Sequence, residues 1–103
     1  MSQFDNVSIK QSANIYFDGK VTSRSLTFSD GTTKSLGVML PGDYEFGANE
    51  EELMEIVSGK LELLLPGSEW QTIVGGESFG VPANSSFQVK VIEITDYTCH
   101  YIK

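Results

Sequence analysis

A single histidine, His100, and a single cysteine, Cys99, are the only imidazole and thiol in the 103 residues of this chain. A transition-metal centre usually draws two or three imidazoles plus a carboxylate, so the composition predicts no metal. One thiol cannot form an internal disulfide, which suits a reducing compartment. Basic residues are scarce as well: seven Lys and Arg stand against fourteen Asp and Glu, for a formal charge of −7, and they form no cluster. Duplex nucleic acid and anionic membrane bind through phosphate neutralisation, so neither is an expected partner. No apolar run approaches the roughly 20 residues of a spanning helix. The opening MSQFDNVSIKQSANIYF has neither the basic start nor the apolar core of a secretory signal, and the expected location is the cytoplasm. GxSxG, P-loop and GxGxxG motifs are all missing. Cys99 and His100 are sequence neighbours and point to opposite faces of a strand, which disfavours a Cys/His nucleophilic pair; Cys99 reads as a small core residue.

What the chain does have is regular punctuation. Gly19, Asp30-Gly31, Pro41-Gly42, Gly59, Pro66-Gly67, Gly75-Gly76 and Pro82 mark turns. Between them lie runs rich in Val, Ile, Leu, Thr and aromatics that alternate with period two. Leu36, Val38 and Leu40 share a face, as do Tyr44 and Phe46, Glu52, Met54 and Ile56, and Leu61, Leu63 and Leu65. Phe87, Val89 and Val91 align, after which the apolar phase switches to Ile92 and Ile94, the mark of a bulge. Arg24 has the parity of Leu26 and Phe28, which predicts that it points inward. No segment carries a helical stripe. The pattern predicts an all-β fold of about nine to eleven short strands in one domain. Residues 14–103 are expected to form an antiparallel β-barrel, and the polar, aperiodic residues 1–13 an N-terminal arm or extra edge strand.

The stretch Gly75–Val91, GGESFGVPANSSFQVKV, has the frame of the second cupin motif: a glycine, a proline, a tight turn and a strand. That motif carries a histidine five residues after the proline, where this chain has Phe87. The latter half of the first motif also fits, with Glu52, Gly59 and a following strand. Its histidines belong four to seven residues before the glutamate, where this chain has Glu45, Phe46, Gly47 and Ala48. The run Glu50, Glu51, Glu52 reads as a solvated turn. The expected barrel is therefore cupin-type and jelly-roll-like, with aromatic side chains at the ligand positions, a surface for stacking in place of coordination.

The segments YFDGKVTS (16–23), LGVMLPGDYEF (36–46), ELMEIVSGKLELLLPG (52–67), Trp70, GGESFGVPANSSF (75–87) and YTCHY (97–101) together resemble the small pyrimidine/purine nucleoside phosphorylases of bacteria, over about residues 14 to 102. The resemblance implies a single cupin barrel, usually a homodimer. It implies a pentosyl-transferring glycosyltransferase that converts purine or pyrimidine nucleoside plus inorganic phosphate into free base and pentose 1-phosphate, without a cofactor. The family commonly carries arginine at the place of His100.

Phosphorolysis at C1′ needs phosphate in line, an oriented ribose and a tolerated leaving base. A pocket that accepts every base holds it by its π-face. On this footing Glu52 is the expected catalytic residue, accepting ribose hydroxyls or stabilising positive charge at C1′. Tyr44, Phe46, Phe87 and Tyr101 are the expected substrate-binding residues, and Arg24, Lys34 and His100 the expected phosphate-binding ones. KLELLL and VIEI are the expected dimer patch. The competing readings are a metal-free cupin module that binds a small sugar or nucleoside without turnover, and a purely structural protein. A cation inside the pocket separates an enzyme that uses phosphate from a binder of neutral ligands.

Overall fold

The period-two alternation becomes nine strands in the computed structural model, which describes residues 3–102. They are β1 (Ser8–Ile9), β2 (Asn14–Tyr16), β3 (Val21–Thr27), β4 (Thr33–Met39), β5 (Gly42–Ala48), β6 (Glu51–Leu64), β7 (Gln71–Val74), β8 (Ser78–Val81) and β9 (Ser85–Ile102), with one 3-10 turn at Phe17–Gly19. Every pairing is antiparallel. Among the described residues no helix is long and apolar enough to cross a membrane.

Two long strands organise the rest. The first half of β9 lies between β5, with Phe46 opposite Phe87, and the end of β6, with Leu63 opposite Val89. The second half lies between β4, with Lys34 opposite His100, and the start of β6, with Glu52 opposite Tyr101. β7 extends the first group and β8 the second; β3 extends the second beyond β4, with β1 and β2 on its far edge. Two sheets thus share β6 and β9 and fold over one core. Among the described residues no ladder closes the circuit, so the expected barrel is an open, cupin-type one.

The expectation of uniformly short strands fails at β6 and β9, and β6 runs through Gly59, which reads as a turn. Gly59 bends its strand without ending it. Its φ of 107° is one that L side chains rarely adopt, and a Cβ there would lie 2.4 Å from the Ile94 carbonyl oxygen. The register slips at the same place, between Ile56/Ser58, Ser58/Lys60 and Lys60/Leu61. The expected bulge in β9 is present, but its outcome differs. The series of register shifts restores the phase, so Thr95, Tyr97 and Cys99 continue the inner row of Val89 and Val91. Ile92 and Ile94 are left outside, 44% and 59% exposed.

The core comprises Val21, Met39, Ile56, Leu61, Leu63 and Val81, all almost completely buried, with Phe79, Phe87 and Tyr97 among them. Each such side chain stabilises the fold by about 1.5–3 kcal/mol. Leu61 and Leu63 therefore cannot serve as a surface patch. In β4 the apolar row faces out: Leu36 and Val38 are exposed, while Ser35, Gly37 and Met39 face in. Tyr97 explains the inversion, because a Cβ on Gly37 would stand 2.6 Å from the Tyr97 ring and hydroxyl. The outer face of β3 carries Leu26, buried beside Ile9 of β1 and outside the main core cluster. Phe28 at the end of this strand meets the ring of Phe4 edge-on at 5.4 Å.

Candidate functional site

The two sheets leave a cavity of about 380 Å³ between them, inside the roughly 300–1,000 Å³ typical of small-molecule sites. Alternation on three strands fills its interior. From β6 come Glu52 and Met54, from β9 Tyr97, Cys99 and Tyr101, and from β4 Ser35 and Met39. Cross-strand registry fixes the rows: Tyr101 lies opposite Glu52, and Cys99 lies between Met54 and Ser35. Ser35 Oγ and the Tyr101 hydroxyl are 2.7 Å apart. Ser23 of β3 adds a further hydroxyl, and its Oγ accepts from the Asn14 side-chain amide at 3.2 Å.

Burial dominates the electrostatics of this interior. It raises the Glu52 carboxyl above its ordinary range, with the neighbouring Cys99 thiol pulling the other way and the Glu50 charge adding to the rise. It pushes the Cys99 thiol to about 12, helped by the charge of Glu52. The Tyr101 hydroxyl also reaches about 12, again through burial first. Tyr97 is raised by the same cause. At neutral pH the tyrosines and the thiol are neutral donors. Cys99 is too basic a thiol to be a nucleophile.

A series of aromatic rings runs from the exposed Phe17 to the buried Phe79. Phe17 meets Phe46 edge-on at 5.5 Å, Phe46 lies 5.6 Å from Phe87 at 30°, and Phe87 meets Phe79 at 6.2 Å. Phe46 and Phe87, chosen from the motif frame, both line the cavity, as do Glu52 and Tyr101. Tyr44 does not. It is buried behind Phe46, and its hydroxyl donates to the Leu40 carbonyl at 2.6 Å. Tyr16, Phe17, Ser23 and Ser35 line the cavity as well. For the two serines a signal existed, since Ser23 shares parity with Val21 and Ser35 with Met39. For Phe17 nothing in the alternation marks it, because it sits in a turn.

The three expected phosphate ligands lie elsewhere. Arg24, read as inward, is exposed on the outer face opposite Leu36 and donates to the Gln11 carbonyl. The reading failed because the buried Leu26 beside it is covered outside the core. Lys34 and His100 face out together. The Lys34 ammonium donates to His100 Nδ1 at 2.7 Å, so Nε2 carries the hydrogen to Glu55 Oε1 at 3.0 Å. Among the described residues no cation lines the cavity, and no three His, Cys, Asp or Glu side chains converge as a ligand set. A wider depression of about 740 Å³ opens between Leu64–Ser68 and Asn84–Gln88, sharing Glu45, Gly47 and Phe87 with the cavity. Among the described residues Glu45 is the only charged group lining it, and it holds none of the buried titratable side chains just described.

A family model described as pyrimidine/purine nucleoside phosphorylase matches residues 11–101. Curated proteins of that name include one from Chlorobium chlorochromatii, 64% identical over 99% of both chains. Another, from Colwellia psychrerythraea, is 59% identical over 99% of both. Among solved structures, a protein of unknown function from Acinetobacter sp. ADP1 superposes with a TM-score of 0.92 at 39% identity, covering 97% of this chain and 98% of that one. The EutQ protein of Clostridium difficile, at 19% identity, covers 79% of this chain and 67% of its own with a TM-score of 0.66, a likeness of fold alone.

Proposed function

Since the chain belongs to the pyrimidine/purine nucleoside phosphorylase family, we propose that it cleaves both purine and pyrimidine nucleosides by phosphorolysis. A phosphate oxygen bonds to C1′ as the C1′–N bond breaks. The bonding pair leaves with the base, which is then protonated. The observation that carries this reading is the half-buried carboxylate of Glu52 in an aromatic cavity of nucleoside size. Ionised, Glu52 faces the positive charge that develops at C1′ and accepts the ribose hydroxyls. Phe46 and Phe87 hold the base by its π-face, which discriminates weakly between bases and fits a broad substrate range.

Phosphate is then held by neutral donors, the hydroxyls of Ser35, Tyr101 and Ser23. Ser35→Ala is expected to raise the KM for phosphate roughly 10- to 150-fold, the scale of one hydrogen bond to a charged group. Arg24→Ala is expected to leave that KM within about twofold. Initial rates at varied phosphate decide between them. The reverse ranking would return the phosphate site to the outer face.

One observation favours the second reading, a binding module without turnover: no cation among the described residues reaches the cavity. Incubation with uridine or adenosine, with and without phosphate, separates the two. Phosphate-dependent release of free base and pentose 1-phosphate supports the enzyme, and binding without release supports the module. The assembly we propose is a homodimer, with exposed Leu36, Val38, Val57, Ile92 and Ile94 as its apolar surface. Light scattering at micromolar concentration checks it.

A further inference from the structure

We propose that the Tyr16–Gly19 turn is the cover of the cavity, and that Phe17 stacks on the nucleobase and sets how tightly different bases are held. The inference rests on the nucleoside reading above and adds a residue that neither the cupin frame nor the alternation selects.

Three successive residues adopt left-handed backbone: Phe17 at φ 52°, Asp18 at φ 56° and Gly19 at φ 91°. Only the last is a glycine. A bulky residue in this region is uncommon and strained, and such strain persists where the surroundings over-determine it. Here burial is not the reason, because Phe17 is 42% exposed. The backbone strain instead aims the ring across the mouth, 4.9 Å from Tyr44 and 5.5 Å from Phe46. Tyr16, 48% exposed, lines the same mouth. Tyr16 stays in the β2–β3 ladder opposite Val21, one backbone bond closes the turn from Lys20 N–H to the Phe17 carbonyl at 3.1 Å, and no side chain caps its first residue. A half-exposed ring at the head of the aromatic series, beside the cavity it lines, is completed by a planar ligand. That ligand supplies the contact area the protein leaves open. Stacking reads a π-face and not base edges, so one ring serves purines and pyrimidines with a preference for the larger surface.

The test combines calorimetric binding of adenosine and uridine without phosphate with turnover in its presence, for the wild type and four variants. Phe17→Ala and Phe17→Leu are expected to weaken both nucleosides roughly 5- to 100-fold, the range of one lost stacking partner. Adenosine should suffer more than uridine, and the KM for phosphate should not move. Phe17→Tyr is expected to retain wild-type binding. Gly19→Ala leaves the ring in place, and its new Cβ meets nothing within 4 Å. It strains the turn through its φ alone and is expected to weaken binding in the same direction by a smaller factor. Wild-type binding by Phe17→Ala, or by Phe17→Leu, overturns the stacking role. If the wild type binds nucleoside without turnover and Phe17→Ala loses that binding, the phosphorolysis reading falls and the cover stands. If the wild type neither binds nor cleaves, both fall.

Discussion

Glu52→Gln is expected to lower kcat for nucleoside phosphorolysis by roughly 100-fold or more, with the nucleoside KM changed little, because a group acting mainly in the transition state is lost from kcat. The amide keeps the shape and the hydrogen-bonding reach of the carboxylate but not its charge. The pH profile carries the second half of the prediction. Burial raises the Glu52 carboxyl above its ordinary value, so the active, ionised form appears only above the ordinary carboxylate range. The acid limb of kcat/KM, which reports the free enzyme, should lie there in the wild type and disappear in Glu52→Gln. The stability effect has the opposite sign. A carboxyl whose pKa is raised by folding binds more protons in the native state than in the unfolded one. The wild type therefore loses stability as pH rises from the unfolded value through the folded one. Glu52→Gln should melt higher than the wild type at neutral pH and match it in acid, an exchange of stability for function. Rates and melting curves between pH 4 and 8 check both. An unchanged kcat would remove Glu52 from the chemistry, and a lower melting temperature at neutral pH would contradict the direction assigned to its burial.

Gly59→Ala is the structural counterpart, and its expected outcome is a large loss of stability. Two costs add. At φ 107° an L side chain is strained, for about 1–2 kcal/mol. The new Cβ would also lie 2.4 Å from the Ile94 oxygen and 2.7 Å from Thr95 Cα and Oγ1. Backbone cannot rotate away as a flexible side chain can, so β6 and β9 must separate where both sheets hinge, for a further cost of about 1–3 kcal/mol by analogy with overpacking. The sum, about 2–5 kcal/mol, is a large part of the roughly 5–15 kcal/mol that holds a domain together. At roughly 4–8 °C per kcal/mol for a domain of this size, the melting temperature should fall by about 10 °C or more. Gly19→Ala supplies the comparison, having strain but no clash, and should lose distinctly less. Equal losses in the two variants would show that the hinge tolerates a side chain.

The alternation of apolar and polar residues was enough to decide the fold class. A period of two admits strands and excludes helices, and Gly/Pro pairs at turns leave little choice of connection. The same alternation, tied to the cupin frame, placed Glu52, Phe46, Phe87 and Tyr101 on one cavity, because residues of like parity on paired strands must share a face. Parity cannot say which face is the inside, and there the sequence ran out. Leu36 and Val38 look like core and are outside, since Tyr97 needs the space that only Gly37 leaves. Arg24 follows Leu26, and Leu26 is buried on the outer side. Ile92 and Ile94 depend on a series of register shifts between β6 and β9, which no local pattern records. Tyr44 shares the parity of Phe46, yet its hydroxyl is taken by Leu40. Phe17 belongs to a turn, where direction is set by backbone angles and not by period. The inside of this protein was decided by which sheet folds over which, and that is a property of long-range pairing between β4, β6 and β9, absent from any short stretch of chain.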